Sequence, residues 1–236
     1  MTKLKQSYVY SGIEWLEQTD STNLDVRRNL DKLDNLSVIA ARVQTAGRGQ
    51  GDHHWVSPKD ENLTFSMLLR FGEGALERLD SSQAVRITQM ATVAVRSFML
   101  SEGVSARIKW PNDIWVGPKK ICGMLIENIL EGTEIAASIV GIGLNLNQRS
   151  FDPTLPNPVS LSQLTGKTYG LRSTLESLYK VICRHASMLN DPAGRSELEK
   201  VFEQNLFHLD KSARENFEES IASFEEIRRL QQDQMP

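Results

Sequence analysis

Cysteine is nearly absent from this 236-residue sequence: Cys122 and Cys183 are the only two, and with four histidines they form no cluster with zinc spacing. Two thiols cannot build a disulfide framework, so both are expected to be free thiols in a reducing compartment. No uncharged apolar run approaches the roughly 20 residues that a bilayer-spanning helix needs. The N-terminus reaches Glu14 and Glu17 before any signal-type apolar stretch forms, and the expected location is the cytoplasm, with no membrane association. An excess of positive charge is lacking too, since 27 Lys and Arg face 30 Asp and Glu, a net charge of −3. A general nucleic-acid binder needs a basic surface, so that class is disfavoured, although a local positive pocket is still allowed. What remains, 40% hydrophobic and 24% charged residues, suits a globular chain long enough to bury a large core.

Strand and helix patterns alternate up to about Asn147, and a more helical tail follows. Ile13–Glu17 reads as a strand, and Asp20-Ser-Thr-Asn23 opens a helix through Leu24, Val26 and Leu30, capped by Asp20 or Ser21. Leu36–Val43 and Asn62–Phe71 read as strands flanking a long glycine-rich loop, a type that usually carries function. Ser81–Leu100 has apolar residues at helical spacing and stops at Gly103. Ala106–Trp110 is a strand cut by Pro111, and Lys120–Asn128 pairs with Ile135–Ile142 across the Glu131-Gly-Thr turn. Phe151–Pro158 is a Pro-rich surface loop, and helices are expected near Ser173–Leu189, Ser196–Leu206 and Ser212–Gln232.

Four segments gather Gly, Lys, Arg and amide side chains at strand ends. Gln44-Thr-Ala-Gly-Arg-Gly-Gln-Gly-Asp-His-His-Trp55 can surround an anion with backbone N–H groups, Arg48 adding charge. It is no dinucleotide fingerprint, because Asp52 stands where a third glycine would be and a strand follows it. Lys109-Trp-Pro-Asn-Asp113 leaves a cation, an amide and a carboxylate together where a proline stops a strand; such a carboxylate can orient an amine nucleophile and such a lysine can hold a phosphate. Lys119–Glu127 enters a strand through two lysines and opens at Gly123 to a close approach. Gly141-Ile-Gly-Leu-Asn-Leu-Asn147 offers glycines and amides to a base or ribose. Each segment alone is equally a turn or an edge strand, and Gly166-Lys-Thr168, lacking the preceding glycine of a P-loop, is a plain turn.

In this order and together, Asp20–Asn23, Gln44–Gly49 with Trp55, Lys109–Asp113, Lys120–Glu127 and Gly141–Asn145 resemble the biotin–protein ligase family over roughly Trp15–Asn147. The resemblance implies an α+β fold with a mixed, largely antiparallel sheet packed by helices, similar to class II aminoacyl-tRNA synthetases. It implies an enzyme that forms biotinyl-5′-AMP from biotin and ATP with Mg²⁺ and transfers biotin to a lysine of a biotin carboxyl carrier protein domain. The family positions that match are Ser21, Thr22, Asn23, Gln44, Arg48, Gly49, Gln50, Lys120 and Gly123 toward biotin, and Trp55, Asn112, Gly143 and Asn145 toward the nucleotide. Lys120 and Arg48 match the groups that neutralise carboxylate and α-phosphate, Asp113 the one that orients the incoming lysine, and Lys109 an assisting cation. None is expected to hold a resident metal.

A lipoate- or octanoate-transferring relative, or a biotin-binding protein without turnover, is the alternative. The family also allows a homodimer through an exposed sheet edge. Nineteen residues precede Asp20, fewer than the winged helix of DNA-binding members, so no direct DNA binding is expected. The loop departs from the family's arginine-rich form at Gln50, Asp52 and His53, and two fewer cations should weaken its hold on the adenylate. From Arg195 to Pro236 there is no glycine and one valine, so the domain expectation is a catalytic domain over 1–190 and a helical 191–236 segment in place of the family's small C-terminal β-barrel.

Overall fold

The structure, a computed structural model, describes residues 12–51 and 53–207; Asp52 and the helix expected over 212–232 lie outside them. In chain order the elements are β1 (Ile13–Leu16), α1 (Thr22–Arg28), β2 (Val38–Ala41), β3 (Leu63–Arg70), β4 (Leu79–Asp80), α2 (Val85–Ser101), β5 (Arg107–Lys109), β6 (Asp113–Val116), β7 (Lys119–Glu131), β8 (Glu134–Leu144), α3 (Leu161–Thr165), α4 (Leu171–Ser187) and α5 (Pro192–Gln204). The strands form one mixed sheet in the order β1-β2-β3-β8-β7-β6-β5, with β4 added to β8. Only the β1–β2 pairing within it is parallel.

Side-chain alternation gives the sheet two unlike faces. Phe65 and Met67 of β3, opposite Ile142 and Val140 of β8, point to a large core that includes Met90, Phe98, Leu178 and Phe202 of α2, α4 and α5. Each such side chain contributes roughly 1.5–3 kcal/mol on burial. Leu68 and Ile139, on the opposite face, form a smaller cluster with Ile39 and Val26 of α1. Further along that second face β3 and β8 carry Thr64, Ser66, Gly141 and Gly143, with little apolar bulk to cover them. This floor is where a ligand has room.

Helix ends follow local chemistry. Asp80 and Gln83 make a capping box ahead of α2, Ser160 and Gln163 another at α3, and Asp191 accepts from the Gly194 N–H with Pro192 opening α5. Gly166, in the Gly-Lys-Thr turn, closes α3 at φ 74°, a conformation that favours glycine. Buried Leu198 and Phe202 fix α5 to the first compact unit, which runs to Leu206, and Phe202 meets Trp110 edge-on at 6.1 Å. Three elements escaped the sequence patterns: β4, with two residues, β6, with four residues following a turn signal, and α3, with five.

Candidate active site

A cavity of about 540 Å³ opens on the polar face of the sheet, and the positions matched to biotin, to the nucleotide and to the incoming lysine, Lys109 and Asp113 among them, all line it. The walls come from α1, the 44–56 loop, the 109–115 turn, β7, β8 and the Phe151–Pro158 loop, which are far apart in sequence.

The glycine-rich loop is a small hairpin. Gly49 N–H donates to His53 O at 2.7 Å, Trp55 N–H to Gly47 O at 2.9 Å, and Arg48 bridges His54. Gly47 has no room for a side chain, since a Cβ there would lie 2.2 Å from Trp55 O. The hairpin lays the Trp55 indole on Gly123 and Gly143, which pair in register across β7 and β8. A Cβ on Gly143 would sit 2.2 Å from that ring. The indole Nε1 is buried without a hydrogen-bond partner among the described residues, a polar atom left for something that enters the cavity. Gln50, His53 and His54 stand at the cavity as well.

Beneath the loop runs a buried polar chain. Gln44 Oε1 accepts from Thr22 N at 2.8 Å and from Thr22 Oγ1 at 3.1 Å; Thr22 Oγ1 lies 2.7 Å from Ser66 Oγ, which donates to Asn23 Oδ1 at 2.5 Å. Asn23 Nδ2 then donates to Glu127 Oε2 at 2.8 Å. Ser21, buried, precedes α1 in extended conformation with no side-chain cap bond. Arg48 turns its guanidinium to Glu127, Nη2 to Oε1 at 3.2 Å and Nη1 to Oε2 at 3.4 Å.

On the other side Lys120 Nζ lies 2.8 Å from Asp113 Oδ1. A β-bulge makes this pair possible. Asp113 faces Gly123 and Ile114 faces Cys122, yet Trp115 faces Lys120, so Ile121 is the extra residue. Ile121 and Cys122 both enter the core, and Lys120 returns to the Gly123 side. Burial pushes the Cys122 thiol far up, so this cysteine stays a neutral, inert side chain. The backbone of Lys120 is clamped on both sides: its N–H donates to Asn157 O at 2.9 Å and its C=O accepts from Val159 N–H at 3.0 Å. Lys109 Nζ stands 4.2 Å above the Trp115 ring.

Two amides expected toward the nucleotide are engaged with backbone. Asn112 Nδ2 donates to Met124 O, and Asn145 Nδ2 donates to Val159 O at 3.1 Å, fixing the Pro-rich loop. Sequence reading missed Ser66 and the role of Glu127 in this network. The signal for Glu127 was its position four residues after Gly123, on the same strand face; Ser66 had none beyond a polar residue inside an apolar strand. Among the described residues no group of three His, Cys, Asp or Glu gathers as a metal site, and no helix is long and apolar enough to cross a membrane.

The sequence profile of the biotin/lipoate A/B protein ligase family matches residues 15–145, the stretch that supplies every wall of this cavity except the Phe151–Pro158 loop. The chain belongs to that family. A biotin–[acetyl-CoA-carboxylase] ligase of Paracoccus denitrificans is 32% identical over 182 residues, 74% of this chain and 73% of that one. The bifunctional ligase/repressor BirA of Escherichia coli (strain K12) is 30% identical over 138 residues, 58% of this chain and 41% of BirA. The biotin protein ligase from Aquifex aeolicus in complex with biotin and ATP has the same fold, with a TM-score of 0.69 at 24% identity over 84% of this chain and 79% of that chain. The expected α+β fold, a mixed sheet packed by helices, is thus the fold of this family's members.

Proposed function

We propose that this family member is an ATP-dependent biotin–protein ligase, which joins biotin to AMP and then passes it to a lysine of a biotin carboxyl carrier domain. The observation that carries the reading is the Lys120–Asp113 pair, 2.8 Å apart, on the wall of a cavity that also collects the glycine hairpin and the Gln44–Thr22–Asn23 chain. The Paracoccus denitrificans relative is a biotin–[acetyl-CoA-carboxylase] ligase by name, which supports biotin over lipoate.

In the first step the biotin carboxylate attacks the α-phosphorus of ATP and pyrophosphate leaves. Two anions must meet, so Lys120 contributes its ammonium where negative charge builds up on the pentavalent phosphorus. Mg²⁺ enters as part of the ATP substrate, bound through the phosphates; one carboxylate beside a lysine is too few ligands for a resident ion. In the second step the carrier lysine's amine attacks the acyl carbon of the mixed anhydride and AMP leaves. The Asp113 carboxylate orients that amine and takes its proton, while Lys109 adds positive potential. Thr22, Asn23, Gln44, Gly49 and Gln50 line the biotin end with Ser21, and Trp55, Asn112, Gly143 and Asn145 the nucleotide end. The catalytic domain takes in the matched residues 15–145, and the enzyme works in the cytoplasm.

The test is direct: the protein is incubated with Mg²⁺, ATP and a carrier-domain fragment, with biotin and lipoate in separate tubes, and the fragment is weighed by mass spectrometry. A biotin-sized gain that vanishes in Lys120→Ala supports the proposal. A lipoate-sized gain alone, or tight biotin binding with no gain, replaces it by one of the two alternatives.

A further inference from the structure

Among the described residues, Glu127 is the acidic side chain that joins three segments of the cavity, α1, the hairpin and its own strand β7. It sits on β7 with 17% of its side chain exposed and receives Asn23 Nδ2 at 2.8 Å from α1. Its remaining capacity goes to two guanidiniums, Arg48 from the hairpin at 3.2 Å and Arg27 from α1 at 3.4 Å. Arg48 lines the cavity, whereas Arg27 does not. Among the described residues, Arg48 makes the one side-chain ion pair between the hairpin and β7.

We infer that Glu127 is a positioning residue for the acid-binding pocket, acting through Arg48 to hold the Gly47–Trp55 hairpin over the glycine floor. The Arg48 fork meets both oxygens of the carboxylate, Nη2 on Oε1 and Nη1 on Oε2. A fork held this way fixes the plane of the guanidinium and, at the end of the arginine stem, tethers to β7 the hairpin whose own backbone bonds set the Gly47 and Gly49 peptides. Asn23, itself braced by Ser66, fixes the carboxylate in turn. The hairpin is therefore seated before an acid arrives, which spares the binding step part of its ordering cost. This role deepens the proposed ligase reading and rests on it, because the affinity it controls is that for biotin.

Glu127→Gln tests it. The amide oxygen can still accept from Asn23, but the opposite end becomes NH₂ and confronts the Arg48 donors. The biotin Kd by calorimetry should rise about tenfold or more, while the rate of transfer from preformed adenylate to carrier changes much less. In an Arg48→Ala background, Glu127→Gln should add nothing, and Arg27→Gln in the wild-type background should leave Kd within about twofold. Glu127→Asp keeps the charge and should fall between wild type and Glu127→Gln, and it decides the matter if the Gln variant fails to fold. Equal losses from Glu127→Gln with and without Arg48, or an unchanged Kd, overturn the inference. A wild-type chain that binds no biotin sinks the ligase reading and this inference together, an outcome distinct from intact wild-type binding with an additive cycle.

Discussion

Lys120 and Asp113 meet at 2.8 Å across β6 and β7 because a β-bulge absorbs Ile121 and turns Lys120 to the Gly123 side of the strand. Lys120→Ala should lower adenylate formation by about 10²–10³-fold, the scale of losing one charge-stabilising group in an enclosed site. Single-turnover release of pyrophosphate measures it. Unchanged adenylation would remove Lys120 from the chemistry.

Asp113→Asn should separate the two half-reactions. Adenylate still forms, while transfer to the carrier lysine slows by about 10²–10⁴-fold because the amine loses its proton acceptor. Mixing isolated enzyme-bound adenylate with carrier and quenching over time reads the second step alone.

Gly141→Ala places a methyl 2.1 Å from Asn23 Oδ1, and Asn23 is buried and held by both Ser66 and Glu127. The side chain has no free direction to retreat, so biotin affinity should drop more than about tenfold. Ser66→Ala removes the donor from the same buried chain and should cost about 1–3 kcal/mol of stability, read from urea unfolding.

Gln50→Arg restores a cation to the hairpin. It should slow adenylate dissociation, seen as a longer lifetime of the enzyme-bound intermediate after free biotin and ATP are removed.

His185 supplies a pH prediction away from the cavity. It is half-buried between α4 and α2, with its Nδ1 2.8 Å from Val181 O and its Nε2 3.2 Å from Ser97 Oγ, and burial lowers its pKa below 6.5. A histidine that resists protonation when folded contributes stability fully present above about pH 6.5, lost as pH falls through the lowered folded value. Urea midpoints of wild type should therefore fall more steeply below pH 6.5 than those of His185→Gln.

Much of the fold was legible because long elements announce themselves: the periodicity of α2 and the β7–β8 hairpin around Glu131-Gly-Thr are where pattern placed them. The short β6 was hidden because Pro111-Asn-Asp reads as a turn, and a four-residue strand carries too few alternations to override that signal. At the site, residue types and order pointed to the cavity's lining, but not to which group each side chain prefers. Arg48, expected toward the incoming acid, lines the cavity and also pairs with Glu127, while the Asn112 and Asn145 amides fasten backbone. Such choices depend on neighbours brought together by the sheet, which strand spacing along the chain does not encode.

The bulge at Ile121 makes reactivity a question of parity. Side chains alternate along a strand, so in a regular strand Lys120, three residues before Gly123, would stand under the sheet; the bulge turns its ammonium over the cavity. Regular pairing of the same residues would leave the glycine floor, the hairpin and the Gln44–Asn23 chain in place and take away the cation beside Asp113. Holding the acid and activating it are thus written in different coordinates, one in side-chain identity and the other in a single irregular step of the backbone.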